Sequence, residues 1–320
     1  MPHSYLGIDL GATKCAGALV SEDGKIITQT KSKIAGLKGD KAGAVVIQVC
    51  KNLMDQARTI EMDISGIGVS IPGISYKEKG TVWAPNIPGW EDYPLKRKLE
   101  HAFEPTFDVV VDNDRTCSIL GEQWQGVAQG CENAIYLAFG TGIGAGIIAG
   151  GQILRGQSDI AGAIGWMALD DKYLDGYKQF GCFEFNASGD GLCRLAKHLY
   201  TSDDKYSTSH LSSSHFTSTD IFESYAKNDV LAVEVINLAI TYWGKGVANL
   251  VSIFNPEKII FGGGLFGPAL KFLPDIYEKS KRYAQPVAIE QVELCGGMLG
   301  NDAQLLGAAL LSMNKKIIYP

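Results

Sequence analysis

Leu6-Gly7-Ile8-Asp9-Leu10-Gly11-Ala12-Thr13-Lys14, continuing as Cys15-Ala16-Gly17-Ala18-Leu19-Val20, reads as strand, tight glycine turn, strand. The same grammar returns at Ile135-Tyr136-Leu137-Ala138-Phe139-Gly140-Thr141-Gly142-Ile143-Gly144-Ala145-Gly146, which runs on into Ile147-Ile148-Ala149-Gly150. Glycines at such a turn reach backbone angles closed to other residues and bring N–H groups close to an anion. Thr13 and Thr141 each add a hydroxyl donor. A single loop of this kind is also what an ordinary β-hairpin wants. The matched pair, one opening each half of the chain, points to two lobes gripping one phosphate chain, and so to nucleotide chemistry.

Working outward, residues 5–10 and 15–20 read as paired strands and 25–32 as a third. Lys41 to Thr59 has helical spacing, with Val45, Val49, Leu53 and Ala57 on one face. Ile64 to Ile71 is a buried-strand run that stops at the turn dipeptide Pro72-Gly73. Phe107 to Val111 is another, ending in Asp112-Asn113-Asp114 before a helical stretch to Trp124. Residues 201–219, rich in Ser, Thr and His, read as a solvent-exposed low-complexity connection. Asp220 to Leu250 reads as two helices with Asp220 as N-cap. Lys258 to Phe261 is a short strand, and Gly262-Gly263-Gly264 leads into a helix from Pro268 to Tyr283. Strands alternating with helices in two similarly opened halves predict an α/β protein of two lobes.

Composition narrows the classes. The 320 residues are 46% hydrophobic and 20% charged, as in a soluble globular protein. The formal charge is −6 and no long basic run appears, against a binder of nucleic acid backbones. Seven cysteines are scattered without a Cys-x-x-Cys pair, the pattern of reduced thiols rather than of a disulfide framework. No signal pattern opens the chain, and no apolar run reads as long enough to span a bilayer. The expectation is a cytoplasmic protein with no membrane partner.

The motifs Asp9-Leu10-Gly11-Ala12-Thr13-Lys14, Asn113-Asp114, Gly140-Thr141-Gly142-Ile143-Gly144 and Gly262-Gly263-Gly264 stand in the order and approximate spacing of the ROK sugar kinases. Ile71-Pro72-Gly73, Ala84 to Trp90 and the tail Leu299 to Ala309 extend the resemblance over essentially the whole chain. It implies the two-lobed actin-like (ribonuclease H-like) ATPase fold with a central cleft, ATP and Mg²⁺ at its base and a sugar near the hinge. One lobe would take 1–112 with a returning C-terminal helix at 301–320, the other 113–300. It also implies a homo-oligomer, a dimer in the family.

Phosphoryl transfer to a hydroxyl needs charge neutralisation, in-line positioning and an acceptor for the hydroxyl proton. On the residues alone Asp112, Asn113 and Asp114 read as a cap for the next helix; by resemblance Asp114 is that base. Asp9 would help hold Mg²⁺ through water. Gly11, Thr13, Lys14, Gly140, Thr141 and Gly142 would surround the β- and γ-phosphates, and Gly262, Gly263 and Gly264 the adenosine. Gly73, Asn86, Asn113, Trp166 and Glu184 would face the sugar.

Two departures mark this chain. The family's Gly-Glu-x-Gly-His segment is here Gly162-Ala163-Ile164-Gly165-Trp166, so its sugar-contacting Glu and its zinc-ligating His are replaced. The zinc motif Cys-x-Cys-Gly-x-x-Gly-Cys-x-Glu is here Asp175 to Glu184, in which Cys182 alone survives among the ligands. Zinc takes about four N or S ligands, so no structural zinc is expected. Trp166, Tyr177 and Phe180 are expected to pack in its place, and the sugar to differ from plain glucose at the end remote from the phosphate.

The leading expectation is an ATP-dependent kinase acting on the primary 6-hydroxyl of a hexose or modified hexose. The alternatives are a sugar-responsive regulator or a non-catalytic sugar- or nucleotide-binding protein of the same fold. A repressor would carry a DNA-binding helical module before Asp9, and the acidic chain speaks against nucleic acid. A nucleotide-driven chaperone or filament subunit is a further class, less consistent with Asn86 and Asn113-Asp114.

Overall fold

The computed structural model describes residues 2–103, 107–212 and 215–313. Contacts between Cα atoms divide the chain into two units, Met1–Cys131 with Gly146–Ala161 and Met298–Pro320, and Glu132–Ala145 with Gly162–Gly297.

In the first unit the opening hairpin is β1 (His3–Leu10) and β2 (Lys14–Ser21), followed by β3 (Ile26–Lys33). Helix α1 (Asp40–Thr59) buries Val46, Val49, Cys50 and Leu53. Strand β4 (Asp63–Ile71) is followed by the small hairpin β5 (Ile74–Tyr76) and β6 (Thr81–Trp83), then by α2 (Leu95–Phe103), β7 (Asp108–Asn113) and α3 (Asp114–Gln125). The sheet order is β3-β2-β1-β4-β7. The first three strands are antiparallel, while β1, β4 and β7 run parallel. Register sets Asp9 beside Ser70 and Ser70 beside Asp112, so one row of polar groups crosses three adjacent strands near their C-terminal ends. Ligands of open α/β sheets bind beyond those ends.

In the second unit β8 (Ala134–Phe139) leads through the second glycine turn into β9 (Ile143–Ala149), along which the chain crosses to the first unit. There β10 (Gln152–Ile153) pairs back on β9. The chain returns through a 3₁₀ turn at Ile164–Trp166 into α4 (Tyr177–Phe180), α5 (Cys182–Ala187), α6 (Gly189–Ser202), α7 (Ser218–Ala226) and α8 (Val230–Phe254). Strand β11 (Lys258–Gly262) lies parallel to β8, α9 (Leu273–Ser280) and α10 (Pro286–Ile289) follow, and β12 (Glu293–Gly296) pairs with β11. The final helix, α11 (Asp302–Met313), belongs to the first unit; residues 314–320 lie outside the described residues.

Several expectations are corrected here. The stretch 201–219 is not simply exposed: Tyr206, Ser209 and Leu211 are buried, and Ser209 Oγ donates to Asp229 Oδ1 at 2.8 Å. Residues 213 and 214 lie outside the described ones. The N-cap of α7 is Thr217, with Asp220 completing a capping box three residues later, and Asp229 caps α8. The helix expected from Pro268 to Tyr283 opens as a 3₁₀ segment, Pro268–Phe272, before α9. Helix α8 is long and apolar enough to cross a membrane by length and composition. Its buried side chains, Trp243 and Val247 among them, pack among the helices of the second unit instead. Residues 113–131 group with the first unit because α3 packs along α11.

Candidate active site

In the first unit the Gly11 N–H donates to the Lys14 carbonyl at 2.9 Å and closes the turn, leaving Thr13 and Lys14 exposed. The Thr13 carbonyl accepts from the N–H groups of Ile34 and Ala35, which anchors the turn from behind. Asp9 sits just before this turn. Ser70 Oγ donates to its Oδ1 at 3.4 Å, and the Gln304 amide, turned so that its nitrogen faces the carboxylate, donates to both oxygens at 3.0 and 3.1 Å. Burial and then the neighbouring Asp114 charge raise the Asp9 carboxyl to about 6.

Asn113 ends β7 and is the N-cap of α3, its Oδ1 accepting from the Thr116 N–H at 2.8 Å. Its Nδ2 donates to Asp112 Oδ1 at 3.1 Å. Its acceptor is therefore committed to the helix, and one amide proton remains for a ligand. The capping role expected of this triplet falls to Asn113, which frees Asp114, the first helical residue. A third of the Asp114 side chain is exposed (34%), with Arg115 Nε at 3.8 Å, and desolvation raises its carboxyl above the usual range. Asn86 is exposed on a loop whose backbone is held by Ala84 donating to the Trp90 carbonyl at 2.8 Å. Gly73 packs too closely on the Trp83 carbonyl to accept a side chain.

In the second unit the Gly140 N–H donates to the Gly142 carbonyl at 2.9 Å, and the Gly140 carbonyl accepts from Gly189, the first residue of α6, at 2.8 Å. Glu184 lies beneath the turn: its Oε2 accepts from the Ile143 N–H at 2.8 Å, and a Cβ at Gly142 would collide with it. Glu184 thus braces the phosphate-type turn, a role its assignment to the sugar did not anticipate. Gly263 has φ +84° and leaves no room for a side chain against the Phe139 carbonyl. A cavity of about 640 Å³ is lined by Gly140, Thr141, Gly189, Arg194, Lys197 and Gly264. Two glycine motifs from distant parts of the sequence thus meet at one hollow. Arg194 and Lys197 are functional candidates that sequence reasoning missed, since nothing in a helix pattern marks which face meets a cavity.

The region of the lost zinc motif holds aromatics. Tyr177 packs edge-on against Tyr173 and Phe185, Arg194 lies over Phe180 and Phe185, and Asn186 donates to the Tyr177 hydroxyl at 3.0 Å. Trp166 is not part of this packing, contrary to expectation: it is 56% exposed at the end of its 3₁₀ turn.

The parallel strands, helix-flanked sheets and paired glycine turns define a protein of the two-lobed actin-like ATPase class. Its family follows: the ROK family profile matches residues 5–315, and the chain belongs to the ROK family. A glucokinase of Halalkalibacterium halodurans is 33% identical over 96% of this chain and 94% of its own. A xylose repressor of Caldicellulosiruptor bescii is 29% identical over 99% of this chain and 80% of its own. Among solved structures, a ROK glucokinase from Streptomyces griseus in complex with glucose and AMPPNP is similar at TM-score 0.76 and 28% identity, covering 97% of this chain and 99% of that one.

Proposed function

We infer that this chain is an ATP-dependent sugar kinase that transfers the γ-phosphate to the primary 6-hydroxyl of a hexose or modified hexose. The observation that carries the reading is Asp114, a partly exposed carboxylate with raised proton affinity at the junction of β7 and α3, next to Asp9. The hydroxyl proton passes to the Asp114 carboxylate as the oxygen bonds to the γ-phosphorus; the bond to the β–γ bridging oxygen breaks and ADP leaves. Thr141 and the amides of the second turn orient the phosphates, Thr13 and Lys14 serve them from the first turn, and Gly262 to Gly264 admit the adenosine. The near-complete reciprocal coverage with the glucokinase relative supports this reading.

Asp9 fits a cation. Its raised carboxyl marks unrelieved burial of negative charge, which a divalent ion would offset. Among the described residues no group of three or more His, Cys, Asp or Glu stands as a metal site, and Mg²⁺ characteristically takes one or two carboxylates with water and phosphate. When bound, it neutralises charge on the transferred phosphate. A structural zinc has no place in this reading, nor has nucleic acid or a membrane. The protein would act in the cytoplasm as a homo-oligomer.

Asn113, Asn86 and Gly73 serve the sugar, and Glu184 holds the second glycine turn in shape. Ala163 and Trp166 leave the far end of the sugar with an apolar indole face and one N–H donor, which favours a substituted sugar over free glucose. The repressor relative keeps a second reading open, that of a sugar-responsive regulator. ATP consumption with and without a panel of sugars separates the two. Asp114→Asn is expected to abolish transfer and leave nucleotide binding nearly intact, because the amide keeps the shape and takes no proton. Turnover near wild type in that variant rejects Asp114 as the base.

A further inference from the structure

Asp112 is a carboxylate only 1% exposed, one residue before Asn113 and two before Asp114. Its Oδ1 accepts from the Asn113 backbone N–H at 2.8 Å and from Asn113 Nδ2 at 3.1 Å. Its Oδ2 faces Arg155 Nη1 at 2.5 Å, and the Arg155 side chain is itself only 14% exposed. The contact is a close ion pair rather than an aligned hydrogen bond, since Asp112 Oδ2 and Arg155 Nη2 are both buried without a hydrogen-bond partner. Lys77 stands nearby; burial first and then Arg155 pull its ammonium down to about 8. Its backbone N–H donates to Asp159 Oδ2 at 3.2 Å. Arg155, carried on the loop that follows β10, makes the ion-pair contact with Asp112, and the Lys77 ammonium also feels the Asp112 charge.

We propose that Arg155 is a positioning residue for sugar phosphorylation, fixing through Asp112 both the Asn113 amide and the first turn of α3 that carries Asp114. The link is continuous. Arg155 holds one oxygen of Asp112, and the other oxygen holds the backbone and side chain of Asn113. Asn113 in turn caps α3 through Thr116. A buried carboxylate stripped of its ion-pair partner is left uncompensated and moves from its place, and that movement releases the Asn113 amide. The proposal rests on the reading of Asn113 and Asp114 as sugar contact and base.

The test compares Arg155→Met, Arg155→Lys and Arg155→Met/Asp112→Asn with Asp114→Asn, each read by sugar kinetics, AMPPNP binding without sugar, and melting temperature. Arg155→Met is expected to lower kcat/KM for the sugar about ten- to a hundredfold, with KM for ATP and AMPPNP binding unchanged. Arg155→Lys keeps the compensating charge, and so the fold, and recovers most of the loss. The double variant removes the uncompensated charge and regains melting temperature, while KM for the sugar stays high because the amide at 112 no longer has a fixed orientation. Wild-type sugar kinetics in Arg155→Met, or joint recovery of melting temperature and kcat/KM in the double variant, overturns the positioning role. If Asp114→Asn turns over normally, the underlying reading fails on its own account. If Asp114→Asn is dead while Arg155→Met is normal, only Arg155 is rejected.

Discussion

Asp9 shows how a single carboxylate ties stability to ligand binding. Its pKa rises from 3.8 to about 6, mainly through burial and secondly through Asp114. Between those values the folded chain holds a proton that the unfolded chain has lost, so this group's contribution to stability falls as pH rises through the window. Asp9→Asn removes the penalty and is expected to raise the melting temperature of the ligand-free protein at about pH 8, with no gain at about pH 4. A cation competes with the same proton, so Mg²⁺ affinity in the wild type should fall as pH drops below about 6. Calorimetry at several pH values reads both, and a pH-independent affinity rejects Asp9 as the ligand. Trp166 gives a second prediction at this scale. Being 56% exposed, it leaves no large cavity when cut back. Trp166→Ala should therefore barely move the melting temperature yet reorder the sugars by KM, and an unchanged ranking shows that the indole does not meet the substrate.

At the scale of elements, close approach through glycine decides how α11 joins the first unit. A Cβ at Gly7 would run into the Leu305 carbonyl, one at Gly68 into that of Ala308, and one at Gly307 into that of Cys117 on α3. The obstructing atoms are backbone on both sides, so no side chain can yield. Gly68→Ala is expected to destabilise the protein by about 1–3 kcal/mol, read as a lowered melting temperature. A melting temperature equal to wild type contradicts this packing. The strands themselves were legible: apolar runs, stopped by Gly11 after β1, by Pro72 after β4 and by Asp112-Asn113-Asp114 at the end of β7, predict β1, β2, β4 and β7 to within a few residues. Capping was less so. Thr217 and Asp220 both satisfy the preference for an N-cap, and the reciprocal hydrogen bonds of the capping box, absent from any propensity, assign the role to Thr217.

For the whole molecule, burial sorts chemically identical side chains. Cys15, Cys50, Cys117, Cys131 and Cys182 are buried, whereas Cys193 and Cys295 are partly exposed. Burial pushes the Cys50 thiol up to about 12 and raises that of Cys193 as well, so reaction with a disulfide reagent should quicken at alkaline pH. In the native protein Cys193 and Cys295 should react first. Cys193 lines the cavity shared by the Gly140 and Gly264 turns, so AMPPNP should slow its modification and leave Cys295 unaffected. Equal rates with and without nucleotide place the nucleotide elsewhere.

The alternation of strands and helices, the two glycine turns and the resemblance to the family were legible in the sequence alone, because turn geometry and strand periodicity are local properties of the chain. The replacement of the zinc ligands was equally plain, since it depends only on which residue types occupy a motif. What each motif touches was decided by the tertiary structure. Glu184 reads as a sugar contact within its motif, and the tertiary structure adds that it braces Ile143 from 41 positions away. Gln304 reads as one residue of a terminal helix, yet it faces Asp9 across nearly the whole sequence. Arg155 and Asp112 bear no signal of a partnership, and packing alone makes them one buried pair. Hydrogen bonds and ion pairs between distant residues depend on where the sheet register and the packing of α11 bring them. That information is set by all the contacts together and resides in no single stretch of the chain.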